Sequence, residues 1–353
     1  MALIEGLPNH IIKNGTSNLR FKSQDTNMRL LSFHIVRIAT FTIFSTSVLL
    51  AQHHKHEAKA DDSRDDASHN CYDASDPSEI RLWPGAAPGA IGDDPCRDIP
   101  YLRVFRSPNG ASKSGQGLIV IPGGGYDRLS DDKEQAPVAN YFSQQLGVTT
   151  FVLYYRLVQP DGSYRYPVPM WDGQRALKLV RTRARDFGIA PERVGLFGFS
   201  AGGHLATTLT LHSATDFDLP VHDRIDAADG RPNLLGLGYP VISMDPAQFA
   251  ATSSHNHLLY GYTGPALDHL QNYLSGQDHI TPRTPPVFLF ESLDDQRISP
   301  QNSVIFVDAL KRAGISVEPH LFAHGVHGAG LAQGIPEEEA WPTFFAAWLD
   351  RQR

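Results

Sequence analysis

The sequence predicts an α/β domain, a mostly parallel sheet with helices on both faces, and three observations carry the prediction. From about Arg81 onward, short apolar runs alternate with longer segments whose apolar positions recur at helical spacing. No internal repeat and no second apolar core interrupts that alternation. With 353 residues, 41% of them apolar and 20% charged, the chain can bury one large core, which argues against a disordered or fibrous chain. One elaborated domain is expected.

Along the chain, residues 118–121 read as a buried strand that runs into a glycine turn. A helix fits 134–145, and the apolar, β-branched and aromatic run 149–155 is the next strand. Residues 172–187 carry apolar or small positions at helical spacing, with Trp171, Ala176, Leu179 and Val180 expected to face the sheet. Strands are then expected at 193–197, 234–242, 287–290 and 317–322, and helices at 303–313 and 337–349. The Pro- and His-rich stretch 247–283 has no clear period and reads as an excursion over one face of the domain.

The N-terminus reads as a targeting segment, 1–60, followed by a polar linker, 61–79, ahead of the expected domain at 80–353. Residues 30–51 are strongly apolar behind Arg29, but His34 and Arg37 interrupt them. The unbroken run 38–51 has the length of a signal-peptide core and is short for a membrane span. A start at Met28 would give the signal a short positive leader, and cleavage fits either after Ala51 or at Ala58-Lys59-Ala60. The expected location is therefore periplasmic or secreted. An uncleaved N-terminal segment is the competing reading and would be the chain's contact with a membrane. His53, His54 and His56 read as part of a solvated tail. Cys71 and Cys96 either close a disulfide, worth about 3 kcal/mol in an exported chain, or stay as two buried thiols.

Charge narrows the partners. The formal net charge is −7, and residues 1–60 hold seven Lys and Arg against three Asp and Glu, which leaves −11 on the rest. An acidic domain of this kind lacks the basic footprint that nucleic acid requires.

Chemistry enters at Gly198-Phe199-Ser200-Ala201-Gly202, directly after an expected strand and at the start of a helix. Small residues on both sides of a serine let the chain close into a sharp strand-to-helix turn that lifts the hydroxyl above the sheet. The competing reading is an ordinary N-cap serine. A serine hydroxyl is a weak nucleophile near neutral pH, so it needs a general base and a group to orient that base. Asp295 fits the orienting acid, in a loop after a strand and separated by two residues from the branched aliphatic Ile298, with Asp294 as the alternative. His327, among small residues after the last strand, fits the base, with His324 as the rival. His204, one helical turn beyond Ser200, is expected to be packed near the site. Oxyanion donors are expected from the Gly124 and Gly125 amides, in the glycine turn after residue 121, and from Ala201 after the nucleophile. The Lys-Ser/Thr of a phosphate loop and the GxGxxG spacing are both absent there, which argues against nucleotide binding.

PGGGY at 122–126, GFSAGGH at 198–204, ESLDDQRIS at 291–299 and HGVHGAGL at 324–331 together resemble the bacterial α/β-hydrolase clade of acetyl xylan esterases and related carbohydrate esterases, some of them labelled xylanases. The likeness runs from about Ile80 to the C-terminus and includes LWPGAAPGA at 82–90, Tyr154-Tyr155-Arg156-Leu157 and LGYPVISM at 237–244. It implies the α/β-hydrolase fold, an eight-stranded sheet without a large cap domain, no metal or organic cofactor, and Ser200, Asp295 and His327 as nucleophile, acid and base. It further implies a small-molecule or oligosaccharide ester as substrate, acetylated xylan above all. Two departures, Glu291 where many relatives carry His and Val326 where they carry Gly, lie close to the acid and the base. Feruloyl or general short-chain esterase activity is the runner-up. A true xylanase would need a carboxylate pair across a sugar cleft that the sequence does not propose. A non-catalytic binding protein would be favoured by a missing triad member. Tyr126 and Trp171 are candidates to stack on a sugar.

Overall fold

Eight strands form a single sheet in the order β1-β2-β4-β3-β5-β6-β7-β8 in the computed structural model, which describes residues 70–352 apart from 109 and 131. The expected targeting segment 1–60, and the linker up to residue 69, lie outside the described residues. The strands are β1 (Glu79–Arg81), β2 (Tyr101–Phe105), β3 (Gly117–Ile121), β4 (Thr149–Tyr154), β5 (Val194–Phe199), β6 (Leu235–Gly238), β7 (Val287–Ser292) and β8 (Val317–Phe322). From β4 to β8 every neighbouring pair is parallel, while β1 and β2 add antiparallel at one edge, Tyr101 standing opposite Tyr154.

The central strands β3 to β7 are buried along their whole length, as strands covered on both faces must be. Phe197 and Phe199 of β5 and Phe288 and Phe290 of β7 alternate onto one face, where they meet Phe142, Trp341, Phe345 and Trp348. Phe142 lies in a π-helical turn that extends α1 (Ala136–Asn140), and the other three lie on α7 (Trp341–Arg351). The opposite face is covered by α2 (Val168–Thr182) and α3 (Ser200–Leu211), whose residues are buried almost throughout. Helix α6 (Gln301–Arg312) packs beside β7 and β8 and buries Phe306 and Leu310.

The parallel strands and most helices lie within a few residues of their expected positions, and the differences have local causes. Helix α2 begins four residues early because Pro167 and Pro169 occupy its start, where a missing N–H costs nothing. Strand β6 stops at Gly238, well short of residue 242, because Tyr239 takes a φ of 36° and turns the chain so that the Val241 amide meets the Ser200 carbonyl. Strands β1 and β2 were not expected, and neither were α4 (Thr252–Leu258) and α5 (Gly264–Tyr273) within the 247–283 excursion. Ala176, Leu179 and Val180 are buried as expected; Trp171 is half-buried against the core, and its indole N–H donates to the Phe217 carbonyl at 2.8 Å.

Two staples hold the N-terminal edge. The sulfurs of Cys71 and Cys96 are bonded, tying the segment ahead of β1 to the loop before β2. Arg156, just after β4, forms a fully buried pair with Asp172 of α2 at 2.7 Å and donates from Nη1 to the Pro88 carbonyl, also at 2.7 Å. Burial pushes the Asp172 carboxyl up despite its guanidinium partner. Removing one member of such a pair leaves an uncompensated charge in the interior. Asp172→Ala is accordingly expected to cost about 3–5 kcal/mol in urea unfolding, whereas a surface pair such as Arg312 with Asp308 should cost under about 1 kcal/mol.

Candidate active site

The carboxyl ends of β3, β5, β6, β7 and β8 converge on one rim of the sheet, the edge where ligands bind in open parallel sheets. β5 delivers Ser200 there, at the first residue of α3, with φ at 50°. That conformation is strained for a residue with a side chain, and the surroundings enforce it. A Cβ at Gly198 would collide with the Gly202 carbonyl, and one at Gly202 with the Ile121 carbonyl. Glycine at both positions therefore lets the turn press against β3 with the serine on its crest.

The loops after β7 and β8 bring Asp295 and His327 to Ser200 from 95 and 127 positions further along the chain. His327 Nε2 lies 2.9 Å from Ser200 Oγ, and His327 Nδ1 lies 2.7 Å from Asp295 Oδ2. The other oxygen of Asp295 accepts the amides of Arg297 at 2.7 Å and Ile298 at 2.9 Å. Burial alone would raise the Asp295 carboxyl, but the His327 hydrogen bond and charge, with those two amides, outweigh it and hold the group below the usual carboxylate range. Asp295 is thus an ionised acceptor aimed at the imidazole. The alternatives Asp294 and His324 pair with each other at 3.1 Å on the exposed side of the same loops, away from Ser200.

The glycine turn after β3 faces this line. Gly124 takes a φ of 119°, which excludes other residues, and its carbonyl accepts the Arg128 amide. Gly124 and Gly125 line the same cleft as Ser200 and His327, and Ala201 sits in the first turn of α3, where an amide has no intrahelical acceptor. The turn is braced from three sides. Tyr155 donates to the Pro122 carbonyl at 3.1 Å, His257 of α4 bonds the Gly125 carbonyl at 2.9 Å, and the Gly123 amide donates to Glu134 Oε2 at 2.7 Å.

The cleft itself measures about 510 Å³. Thr252, Ser253 and Ser254 of α4, with Ser130, Arg128 and Arg297, give it a polar lining, so the 247–283 excursion reaches the site as a single short helix. A broader hollow of about 700 Å³ near Lys178, His212 and Tyr273 lies at the far end of α3 and contains none of these residues. Tyr126 does not reach the cleft. It is fully buried, and its hydroxyl lies 2.7 Å from His204 Nδ1, which corrects its candidacy as a sugar platform. Trp171 is likewise absent from the lining.

His204 is packed beneath the site as expected, with Nε2 donating to the Leu274 carbonyl at 2.9 Å. Burial drives its ionisation from the ordinary 6.5 down to about 4. The unfolded chain therefore binds a proton at this residue between pH 6.5 and 4 that the folded chain refuses, and stability falls as pH drops through that window. The expected loss by pH 4 is about 3 kcal/mol, with no contribution above pH 7. Urea midpoints between pH 7 and 4.5 should fall less steeply for His204→Gln than for the parent.

Three further acids stand near the site, of which the sequence singles out only Glu291. Glu291, on β7 beneath Asp295, accepts the Ser303 hydroxyl and the Ser292 amide; burial, and next the Asp295 charge, push it up to about 8. It supports the acid loop from below and does not face the cleft, as its departure from the family pattern left open. Glu338, in a short turn before α7, accepts the Val326 amide at 3.0 Å next to His327. Glu134 is described further below. Glu291 and Glu338 bond groups no more than 12 positions away, but in loops with no recurring spacing, whereas Glu134 reaches Tyr239 105 positions along.

Residues 104–310 match the BD-FAE family. An acetylxylan esterase of Xylanibacter ruminicola is 31% identical over 238 residues, covering 67% of this chain and 45% of that protein. Endo-1,4-beta-xylanase B of Butyrivibrio fibrisolvens is 28% identical over 65% of this chain and 34% of its own length. The chain thus spans less than half of these two relatives. Among solved structures, an acetyl ester-xyloside bifunctional hydrolase of Caldicellulosiruptor lactoaceticus is 35% identical with a TM-score of 0.68, covering 78% of this chain and 96% of that one. A carboxylesterase of Lactobacillus plantarum, 26% identical, superposes with a TM-score of 0.61 over the same shares. The chain belongs to the BD-FAE family and has the α/β-hydrolase fold, with no large cap domain among the described residues.

Proposed function

We propose that this protein is a serine carboxylester hydrolase that removes short acyl groups, acetyl first, from acetylated xylan, xylo-oligosaccharides or related carbohydrates. The observation that carries the reading is the continuous line Ser200, His327, Asp295, at 2.9 and 2.7 Å, opening on a polar cleft. In this reading His327 takes the proton of Ser200 as Oγ attacks the ester carbonyl. The amides of Gly124, Gly125 and Ala201 hold the oxyanion, and His327 then returns the proton to the departing sugar oxygen. Water, activated by the same imidazole, releases the carboxylic acid and regenerates the serine. Asp295 fixes the Nδ1–H tautomer and stabilises the imidazolium. Hydroxyls from Ser130, Thr252, Ser253 and Ser254 suit a polyhydroxylated alcohol better than a lipid tail. The names of two similar proteins, an acetylxylan esterase and an acetyl ester-xyloside hydrolase, support the same substrate class.

The reading includes export to the periplasm or the medium. Its support is the apolar run at 38–51 behind basic residues, together with the Cys71–Cys96 bond, which suits an oxidising compartment.

The test is acetate release from acetylated xylo-oligosaccharides, beside hydrolysis of a simple aryl acetate and of a feruloyl ester. Acetate from the oligosaccharide at a rate comparable to the aryl ester supports the reading. Cleavage of the aryl acetate alone would keep the esterase and discard the carbohydrate, and a preference for the feruloyl ester would move the acyl group. No turnover of any ester would favour a non-catalytic binding protein.

A further inference from the structure

We propose that Glu134 is a positioning residue that couples the two halves of the site, holding the oxyanion turn with one oxygen and the histidine loop with the other while its charge favours the imidazolium. The inference rests on the esterase reading above and adds a residue that the reaction scheme does not use. Glu134 lies just before α1, outside the serine, acid and histidine motifs, and its side chain is almost fully buried while still forming part of the cleft floor.

Its two oxygens have separate duties. Oε2 accepts the Gly123 amide at 2.7 Å, and Gly123 directly precedes the two glycines assigned as oxyanion donors. A Cβ at Gly123 would stand 2.8 Å from Ser200 Cβ, so this amide is fixed against the nucleophile as well. Oε1 accepts the Tyr239 hydroxyl at 2.9 Å. The Tyr239 oxygen in turn accepts the Gly330 amide at 2.9 Å, three residues after His327, and the Tyr239 ring packs on the His327 ring with centroids 4.9 Å apart. A single chain of bonds, Gly123 to Glu134 to Tyr239 to Gly330, therefore spans from the oxyanion side to the base. Displacement of either end by a fraction of an ångström misaligns a donor that must meet charge only in the transition state.

The facing groups favour the ionised form. The Gly123 and Tyr239 donors both point at Glu134, and His327, which becomes cationic in the reaction, attracts it; exposed Asp132 opposes. Tyr155, the other buried phenol close by, gives its hydrogen to the Pro122 carbonyl and feels Glu134 only through its charge. Burial holds the Glu134 carboxyl above its ordinary range and these donors offset that only in part, so the strut is strongest when the pH lies above its ionisation.

Two substitutions separate the strut from the charge. Glu134→Gln keeps an acceptor for Gly123 and can donate its amide to the Tyr239 oxygen, but carries no charge. Glu134→Ala removes both functions. The expected result is a fall in kcat of about tenfold for Glu134→Gln and about 100-fold for Glu134→Ala on an aryl acetate, with KM changed less than threefold in each. In addition, the acid limb of the kcat/KM profile should move to lower pH by about half a unit in Glu134→Gln, because a negative charge beside the base has gone; a purely structural role would leave that limb in place. Tyr239→Phe, which cuts the link to Gly330 while leaving Gly123 held, should lower kcat about tenfold. The same displacement should appear in the NMR titration of the His327 ring, which needs no turnover. An unmoved His327 titration in folded Glu134→Gln, or kcat within twofold of the parent in both Glu134 variants, would overturn the proposal while leaving the esterase reading standing. A parent inert on every ester, with the His327 titration displaced, would sink the esterase reading and keep the coupling.

Discussion

Ser200→Ala is expected to lower kcat/KM for an aryl acetate on the order of 10⁴- to 10⁶-fold, the range in which loss of a serine nucleophile leaves only binding and oxyanion stabilisation. That corresponds to about 5–8 kcal/mol of transition-state stabilisation. The structure explains why so much should depend on one oxygen. Ser200 Oγ is the atom that stands 2.9 Å from His327 Nε2 on the crest of the turn, and no other hydroxyl is bonded to that nitrogen among the described residues. The variant should remain folded, because alanine takes the same φ of 50° at the same strain and the lost hydrogen bond faces the cleft. Ser200→Gly sharpens the test, since glycine relieves the strain: it should be equally inactive yet unfold at higher temperature than Ser200→Ala. Activity above about 1% of the parent in either purified variant would place the nucleophile elsewhere.

The parallel part of the fold was legible because each central strand is a short apolar run closed by a turn signal, and the helices between carry a 3.6 period. The antiparallel edge was not. β1 is three residues long, and β2, Tyr101–Phe105, carries an arginine in its middle that pairs with Glu79, so neither shows a clean run. Helices α4 and α5 were hidden for a related reason: TSSHNHL buries only Ser254 and Leu258, and α5 buries only Leu270, which is too little apolar surface to leave a period.

Within the site, the legible residues are those that sit in turns with their own local grammar. Gly198 to Gly202, Pro122 to Gly125 and the small residues around His327 each declare a backbone conformation, and the backbone delivers the side chain. Glu134 and Tyr239 have no such grammar. Their bond joins residues 105 positions apart, and Tyr239 to Gly330 spans another 91, so their meaning exists only once the strands have been brought side by side. The choice between the paired neighbours Asp294 and Asp295 illustrates the boundary: the spacing to Ile298 favoured one of them, and the physical basis of that spacing is the Ile298 amide returning to Asp295 Oδ1 at 2.9 Å.

Asp295→Asn is expected to lower kcat on the order of 10⁴-fold while leaving the fold intact. The hydrogen bonds force the outcome. Oδ1 is held by the amides of Arg297 and Ile298, which donate and therefore demand an oxygen at that position. An asparagine must then place its NH₂ where Oδ2 was, facing His327 Nδ1 at about the distance of a hydrogen bond. A donor meeting Nδ1 selects the tautomer with the proton on Nε2. That nitrogen then donates toward Ser200 Oγ when it should accept, and the base is lost without any atom moving. Asp295→Ala should be as inactive and also less stable by about 1–3 kcal/mol, because the buried Ile298 amide and the partly buried Arg297 amide lose their acceptor. Asp294→Asn supplies the control: its carboxylate is exposed, pairs with His324, and should leave kcat/KM within twofold of the parent. Equal losses in the Asp294 and Asp295 variants would mean that the acid has been assigned to the wrong register. A large loss confined to Asp295, with no change in the circular dichroism of the variant, ties the function of this carboxylate to the direction of one proton.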